Sequence, residues 1–309
     1  MKPTVFIQAN DRQYLGAKIS AHSFRRNARD PDSFDVRILH VRDFPRLLNP
    51  EQSVLRGGTL RQWDPEDLQS FTPLRFFPPE AMRFEGRAVI TDPDVFAVGD
   101  VGELFSRDLE GKALWAVPRP GHNGRRDYIA TSVMLLDCSK LKHWKWQEYL
   151  DGLFGHRFDY FDWIDLKRED PSSIGFLEPE WNDFDRLTPA TRLVHNTKRQ
   201  TQPWKSGLPV DFVTAEKFRL FPPKGWLSRG RRLLFGEYGM AGSYERHPDP
   251  NQERFFFGLL KECLEQGIVT EAMLRDEMAK NHVRHDALEM VARTPDVAGL
   301  RLPAVVTSP

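Results

Sequence analysis

Short unbroken apolar runs alternate with polar segments over the first two thirds of the chain, and three- and four-residue apolar spacing takes over towards the end. Thr4-Val5-Phe6-Ile7-Gln8-Ala9 has the continuous apolar character of a buried strand. After the polar Asn10-Asp11-Arg12-Gln13, a helix is expected from about residue 14 to 26, and residues 35–41 alternate enough to form a second strand. Strand, helix and strand at this short spacing predict a parallel crossover and an α/β sheet. Further strands are expected at residues 87–90, 114–117, 132–136 and 192–195, with a helical stretch around residues 79–82. Residues 47–70, polar and containing Gly57-Gly58, read as loop with one short helix. Beyond about residue 213 the pattern changes. Phe256, Leu259, Leu260, Cys263 and Leu264 keep helical spacing within 250–293, and the period stops at Thr294. Two parts follow: an α/β domain over 1–212 and a mainly helical extension over 213–309.

Composition narrows the class. Lys plus Arg and Asp plus Glu both number 44, so no cation excess favours nucleic acid as a partner. Cys138 and Cys263 stand far apart, without metal-type spacing or a disulfide framework, which suggests a reducing compartment. The first residues turn polar too soon for a signal peptide, and no apolar run approaches the ~20 residues of a spanning helix. A cytoplasmic, soluble protein is the expectation.

The candidate chemistry sits at Ile90-Thr91-Asp92-Pro93-Asp94-Val95-Phe96. Ligands in open α/β sheets collect beyond the carboxyl ends of strands. Two carboxylates at i and i+2 in that place can share a hard divalent ion such as Mg²⁺ or Mn²⁺, with diphosphate oxygens completing the shell. Pro93 fixes φ and lacks an N–H, which suits an irregular connection. The same tripeptide is also good turn chemistry, so the residues alone leave turn and metal site both open.

Asp92-Pro93-Asp94 is followed by Val95-Phe96-Ala97-Val98-Gly99-Asp100 and then Glu103-Leu104-Phe105. That succession resembles the donor-binding core of family 8 glycosyltransferases, retaining enzymes of the GT-A fold. Other matches keep the same order along residues 4–212. Ala9-Asn10-Asp11-Arg12-Gln13-Tyr14 lies where the family has its uridine-binding turn, and Ser132–Asp137 is similar to its Ser-Gly-Val-Met-Leu-Leu-Asp strand. Glu180-Trp181-Asn182 matches a Trp-Asn landmark, and His195 with Pro203-Trp204-Lys205 resembles the closing His…Lys-Pro-Trp motif.

The resemblance implies a GT-A (Rossmann-like) mixed, mainly parallel sheet flanked by helices. It implies a UDP-sugar donor, a divalent metal (Mn²⁺ or Mg²⁺), and Asp92, Asp94 and His195 as its ligands. Ala9, Asn10, Asp11, Tyr14 and Pro93 would border the nucleotide. Tyr14 suits both base stacking and a core position. Arg75 aligns with a basic residue that approaches the donor, where a guanidinium can bind phosphate in bidentate fashion; a surface charge is the other reading. Three departures stand out. Gln202 replaces the Lys before Pro-Trp and the segment is one residue longer, so Lys198, Arg199 or Lys205 is left to contact the diphosphate. Ala130-Thr131-Ser132 replaces Asn-Ser-Gly. The sugar-facing Asp-Gln pair is represented by Asp162 with Trp163, and Asp162 is the candidate catalytic carboxylate. Residues 224–235 mix cations with Trp226 and Phe235, fitting either a peripheral contact with anionic lipid or a cationic surface segment. The acceptor, a glycan, a lipid-linked glycan or another molecule, is not specified. A non-catalytic binding protein on the same fold is the main alternative. A sugar nucleotidyltransferase fits less well, because no Gly-rich phosphate loop follows the first strand.

Overall fold

The structure is a computed structural model and describes residues 1–121, 127–211 and 242–297. Its described residues fall into two compact units. The first comprises Met1–His195 with Glu262–Val269, and the second comprises the described parts of 196–261 and 270–300. A division at 212/213, expected from the change of pattern, and the cationic stretch 224–235 lie outside the described residues.

The first unit is built on a sheet of six strands. These are β1 (Thr4–Ala9), β2 (Asp35–His40), β5 (Arg87–Thr91), β7 (Leu114–Arg119), β8 (Tyr128–Asp137) and β9 (Ile174–Phe176), in the order β2-β1-β5-β8-β7-β9. The β1–β2, β1–β5 and β7–β9 pairs are parallel, and β8 runs antiparallel to β5 and β7. This is the α/β sheet that the sequence pattern predicted, mixed and mainly parallel as the resemblance implied. Both faces are buried, which explains the unbroken apolar runs. Phe6, Ala88, Ile90, Leu114, Ala116, Met134 and Leu136 point to one face. Val5, Ile7, Val89, Trp115, Val117, Val133 and Leu135 point to the other.

Helix α1 (Tyr14–Arg26) covers the second face through Ala17, Ala21 and Phe24. The first face packs against Trp146, Tyr149, Leu150 and Leu153 of α4 (Trp146–Phe154) and Tyr160 and Trp163 of α5 (Tyr160–Ile164). Short helices α2 (Pro78–Ala81) and α3 (Gly102–Ser106) complete this unit. The second unit carries most of α6 (Pro250–Glu265), with α7 (Glu271–Ala279) and α8 (Ala287–Arg293).

The stretch read as loop at residues 47–70 contains a hairpin. Strands β3 (Ser53–Arg56) and β4 (Thr59–Gln62) pair antiparallel around Gly57-Gly58. Both glycines have positive φ, 61° and 73°, the conformation a two-residue hairpin connection requires. β4 is exposed at every position, so no apolar alternation marked it as a strand.

Candidate metal centre

β5 ends at Thr91, and the chain turns at once. Val95 N donates to Asp92 O at 3.3 Å, closing a turn with Pro93 at its second position. The turn therefore carries both carboxylates of the candidate cation site, Asp92 and Asp94. The chain continues as β6 (Val95–Ala97), which leaves the main sheet and pairs with β11 (Leu193–His195). β10 (Asp183–Phe184) pairs with β11 on its other side. In this three-stranded sheet His195 lies opposite Val95, one residue beyond Asp94. The register, rather than sequence proximity, brings the imidazole to the turn.

Helix α1 holds β6 in place with one polar stripe. Ser20 Oγ donates to Val95 O at 2.6 Å, Ser23 Oγ accepts from Ala97 N at 2.8 Å, and Asn27 Nδ2 donates to Ala97 O at 2.7 Å. Gly16 extends the stripe at i−4 from Ser20. A Cβ there would stand 2.9 Å from Pro93 O, so glycine allows the helix to approach the turn.

One ligand atom from each of Asp92, Asp94 and His195 lies within 4.8 Å of the other two. His195 Nε2 is 3.2 Å from Asp94 Oδ1, while its Nδ1 meets Asn182 Oδ1 at 2.9 Å. His195 is 5% exposed and Asp92 is 8% exposed. Burial on its own lowers the imidazole pKa, but the charge and hydrogen bond of Asp94, with Asp92 and Asp185 behind them, hold it above the ordinary value. Two carboxylates and an imidazole are a donor set suited to a hard divalent ion, which Asp92, Asp94 and His195 would hold.

Asp92 is already heavily used. Arg75 grips it in bidentate fashion, Nε to Oδ1 at 3.1 Å and Nη2 to Oδ2 at 2.5 Å, and Gln8 Nε2 donates to Oδ1 at 2.5 Å. A carboxylate offers about four acceptor positions, so Oδ2 is the atom with room for a cation. Arg75 Nη1 donates to Thr131 Oγ1 at 2.9 Å, and Thr131 donates on to Ile164 O at the end of α5. The β7–β8 register shifts between Ala116 and Val117, leaving residues 131–133 of β8 without β7 partners. That bulge turns Thr131 towards Arg75 and Ser132 towards Asn182.

The other expected residues fall into separate places. Ala9 closes β1. Asn10 donates to Asp67 O at 3.0 Å and Ser70 Oγ at 3.1 Å, and its Oδ1 is buried without a partner in the structure. Asp11 pairs with His40 at 3.1 Å and Arg42 at 2.6 Å, beside Tyr14, whose ring meets His40 edge-on at 5.1 Å. β1 and β2 end together, Ala9 opposite His40, which gathers these groups at one sheet edge. Asp162 lies on α5, half-exposed and 2.7 Å from Lys167 Nζ, outside the three-ligand cluster. Trp163 is 1% exposed and stacks on Phe76 at 4.5 Å, a core position.

In the second unit Lys198 is exposed. Lys205 is 1% exposed, with Nζ 3.0 Å from both Asp211 Oδ2 and Asn281 O. Gln202 turns inward and donates to Asn196 O at 3.1 Å. Sequence reasoning missed Gln8, Gly16, Thr131 and the role of Asn182. The small and polar spacing 16, 20, 23, 27 on α1 was a readable signal for one of them.

No known family's sequence profile matches the chain, and no curated protein matches it. Solved structures do. The glycosyltransferase GlyE of Streptococcus pneumoniae TIGR4 is 16% identical with a TM-score of 0.47, over 87% of this chain and 64% of that one. The galactosyltransferase LgtC, solved with donor and acceptor sugar analogs, is 15% identical with a TM-score of 0.44, over 65% of this chain and 89% of that one. Apo WbbM, a bifunctional glycosyltransferase, is 16% identical with a TM-score of 0.43; the matched region covers 66% of this chain and 47% of WbbM.

Proposed function

We propose that the protein is a retaining glycosyltransferase of the GT-A fold that moves a sugar from a UDP-sugar to an acceptor in the presence of Mn²⁺ or Mg²⁺. The observation that carries this reading is the convergence of Asp92, Asp94 and His195 at the carboxyl end of β5. The resemblance of residues 4–212 to family 8 glycosyltransferases, which named these three residues, also supports it. A divalent ion in this cluster would neutralise charge on the departing diphosphate.

The chain's own residues prepare that place. Arg75 and Gln8 fix the Asp92 carboxylate, and α1 fixes the turn that carries Asp94. Asp11 and Tyr14, at the shared end of β1 and β2, are proposed to border the nucleoside. The buried Lys205 ammonium is already matched by a carboxylate and a carbonyl.

One observation favours a second reading, a donor-binding protein without turnover. Trp163, in the place of the family's sugar-facing Gln, is packed in the aromatic core. A panel of UDP-sugars incubated with Mn²⁺ and no acceptor separates the two. Metal-dependent release of UDP from at least one donor is expected of the transferase. Tight Mn²⁺-dependent UDP binding with no release from any donor, and no transfer to acceptor sugars, identifies the binding protein. Absence of both binding and release contradicts either.

A further inference from the structure

We infer that Asn182 is a positioning residue that fixes the tautomer and ring orientation of His195, within a clamp completed by Ser132, Arg119 and Phe184. The inference rests on Asp92, Asp94 and His195 being a metal centre. A cation held at this cluster would take the lone pair of His195 Nε2, the nitrogen that faces Asp94 at 3.2 Å. Nε2 carries a lone pair in the neutral ring only when the proton is on Nδ1. Asn182 Oδ1, 2.9 Å from Nδ1, is an acceptor placed to hold that proton.

An amide can present oxygen or nitrogen, and the wrong choice would move the proton to Nε2. In the structure Asn182 Nδ2 donates to Ser132 Oγ at 2.9 Å, a contact that anchors the amide with Oδ1 facing the imidazole. Asn182 is 0% exposed, so water cannot take over this contact without reorganisation. The backbone is held as well. Arg119 Nη2 donates to Asn182 O, and the Arg119 guanidinium lies 4.0 Å over the Phe184 ring. Phe184, opposite His195 in the β10–β11 register, meets the imidazole edge-on at 5.2 Å and 89°. Besides the Nε2 contact with Asp94, one hydrogen bond and one ring contact hold the imidazole, and both come from residues 182–184. Partners of this kind are worth about 10–100-fold in metal affinity.

The test is Mn²⁺ affinity of the full chain without nucleotide, read by electron paramagnetic resonance of free Mn²⁺. Thermal unfolding in chelator is measured alongside. Asn182→Leu removes the acceptor and is expected to weaken Mn²⁺ binding about 10–100-fold. Asn182→Asp keeps an acceptor facing Nδ1 and is expected to stay within about threefold of the parent, although it buries a charge and unfolds at lower temperature than Asn182→Leu. Affinity and stability thus change in opposite order, which a purely structural role would not produce. Ser132→Ala, a small change that frees the amide to rotate, is expected to weaken binding about threefold or more and serves if Asn182→Leu does not fold. Parental affinity in folded Asn182→Leu, or in Ser132→Ala where Asn182→Leu is unfolded, overturns the inference, as does weakening of Asn182→Asp to the level of Asn182→Leu. A parent protein that binds no Mn²⁺ instead overturns the metal centre itself.

Discussion

Replacing Arg75 by Met leaves the Asp92 carboxylate in a buried place without its cation. The pair is close and well shielded: the side chains are 10% and 11% exposed, and two hydrogen bonds of 3.1 and 2.5 Å join them. Removing one partner of such a pair costs about 3–5 kcal/mol, because the remaining charge stays uncompensated. Gln8 still donates to Asp92 at 2.5 Å, which places the expected loss near the lower end, about 3 kcal/mol. For a unit of this size that is a fall of about 6–12 °C in Tm. Chemical denaturation in chelator, followed by tryptophan fluorescence, reads the free energy directly. Asp92→Asn in the Arg75→Met background removes the stranded charge and is expected to recover at least half of the loss, a coupling that the double-mutant cycle isolates. Mn²⁺ should stabilise Arg75→Met more than the parent, since a cation then replaces a cation. A loss below about 1 kcal/mol, or a double variant no more stable than Arg75→Met, refutes the description of Asp92 as a buried charge held by Arg75.

Three further expectations follow from the geometry. Gly16→Val places a side chain against the Pro93 carbonyl, 2.9 Å from an added Cβ, and should cost about 1–3 kcal/mol by overpacking while weakening Mn²⁺ binding; unchanged denaturation and affinity would exclude the close approach. The His195 pKa is raised mainly by Asp94 against the effect of burial, so the His195–Asp94 pair stabilises the metal-free protein fully below the ordinary value of 6.5 and is lost as pH rises through the folded value. Mn²⁺ competes with that proton, so its affinity should fall by up to about tenfold per pH unit below the folded pKa in a calorimetric series. Glu262 accepts from Arg26 at 3.0 and 2.7 Å and from His22 at 2.8 Å. Burial pushes its carboxyl pKa up, but these partners outweigh burial and hold it below the ordinary 4.5. Its contribution is present above 4.5 and lost as pH falls through the folded value. Glu262→Gln should therefore flatten acid unfolding below about pH 4.5, and an unchanged acid limb would count against the contact.

The strands of the main sheet were readable because both faces are buried. Val5, Phe6 and Ile7 are apolar in succession, and so are Val89 and Ile90, which leaves little ambiguity. The β3–β4 hairpin was not readable from apolar pattern, since Thr59–Gln62 is wholly exposed, although Gly57-Gly58 marked its turn. Asp92 and Asp94 stood out through their place after an apolar strand, and His195 only through the motif around it. The strand register that unites them, Val95 opposite His195, is a long-range pairing that local spacing cannot specify. Arg75 was read as a group for the donor or a surface charge; it is buried, and its guanidinium bonds Asp92 and Thr131, partners that local sequence does not reveal. Lys205 looked like a cation for phosphate, yet a basic residue's burial depends on partners such as Asn281, which is distant in sequence.

The most direct test of the cluster as the metal centre of a UDP-sugar site is isothermal titration of the full chain with UDP, with Mn²⁺ or with chelator, on the parent and on Asp94→Ala. The parent should bind UDP with Mn²⁺ and lose at least about tenfold in affinity in chelator. Asp94→Ala should stay folded and respond little to Mn²⁺. UDP binding of equal strength with and without Mn²⁺, or an Asp94→Ala protein that keeps the full metal response, would contradict the assignment of Asp92, Asp94 and His195 as the site.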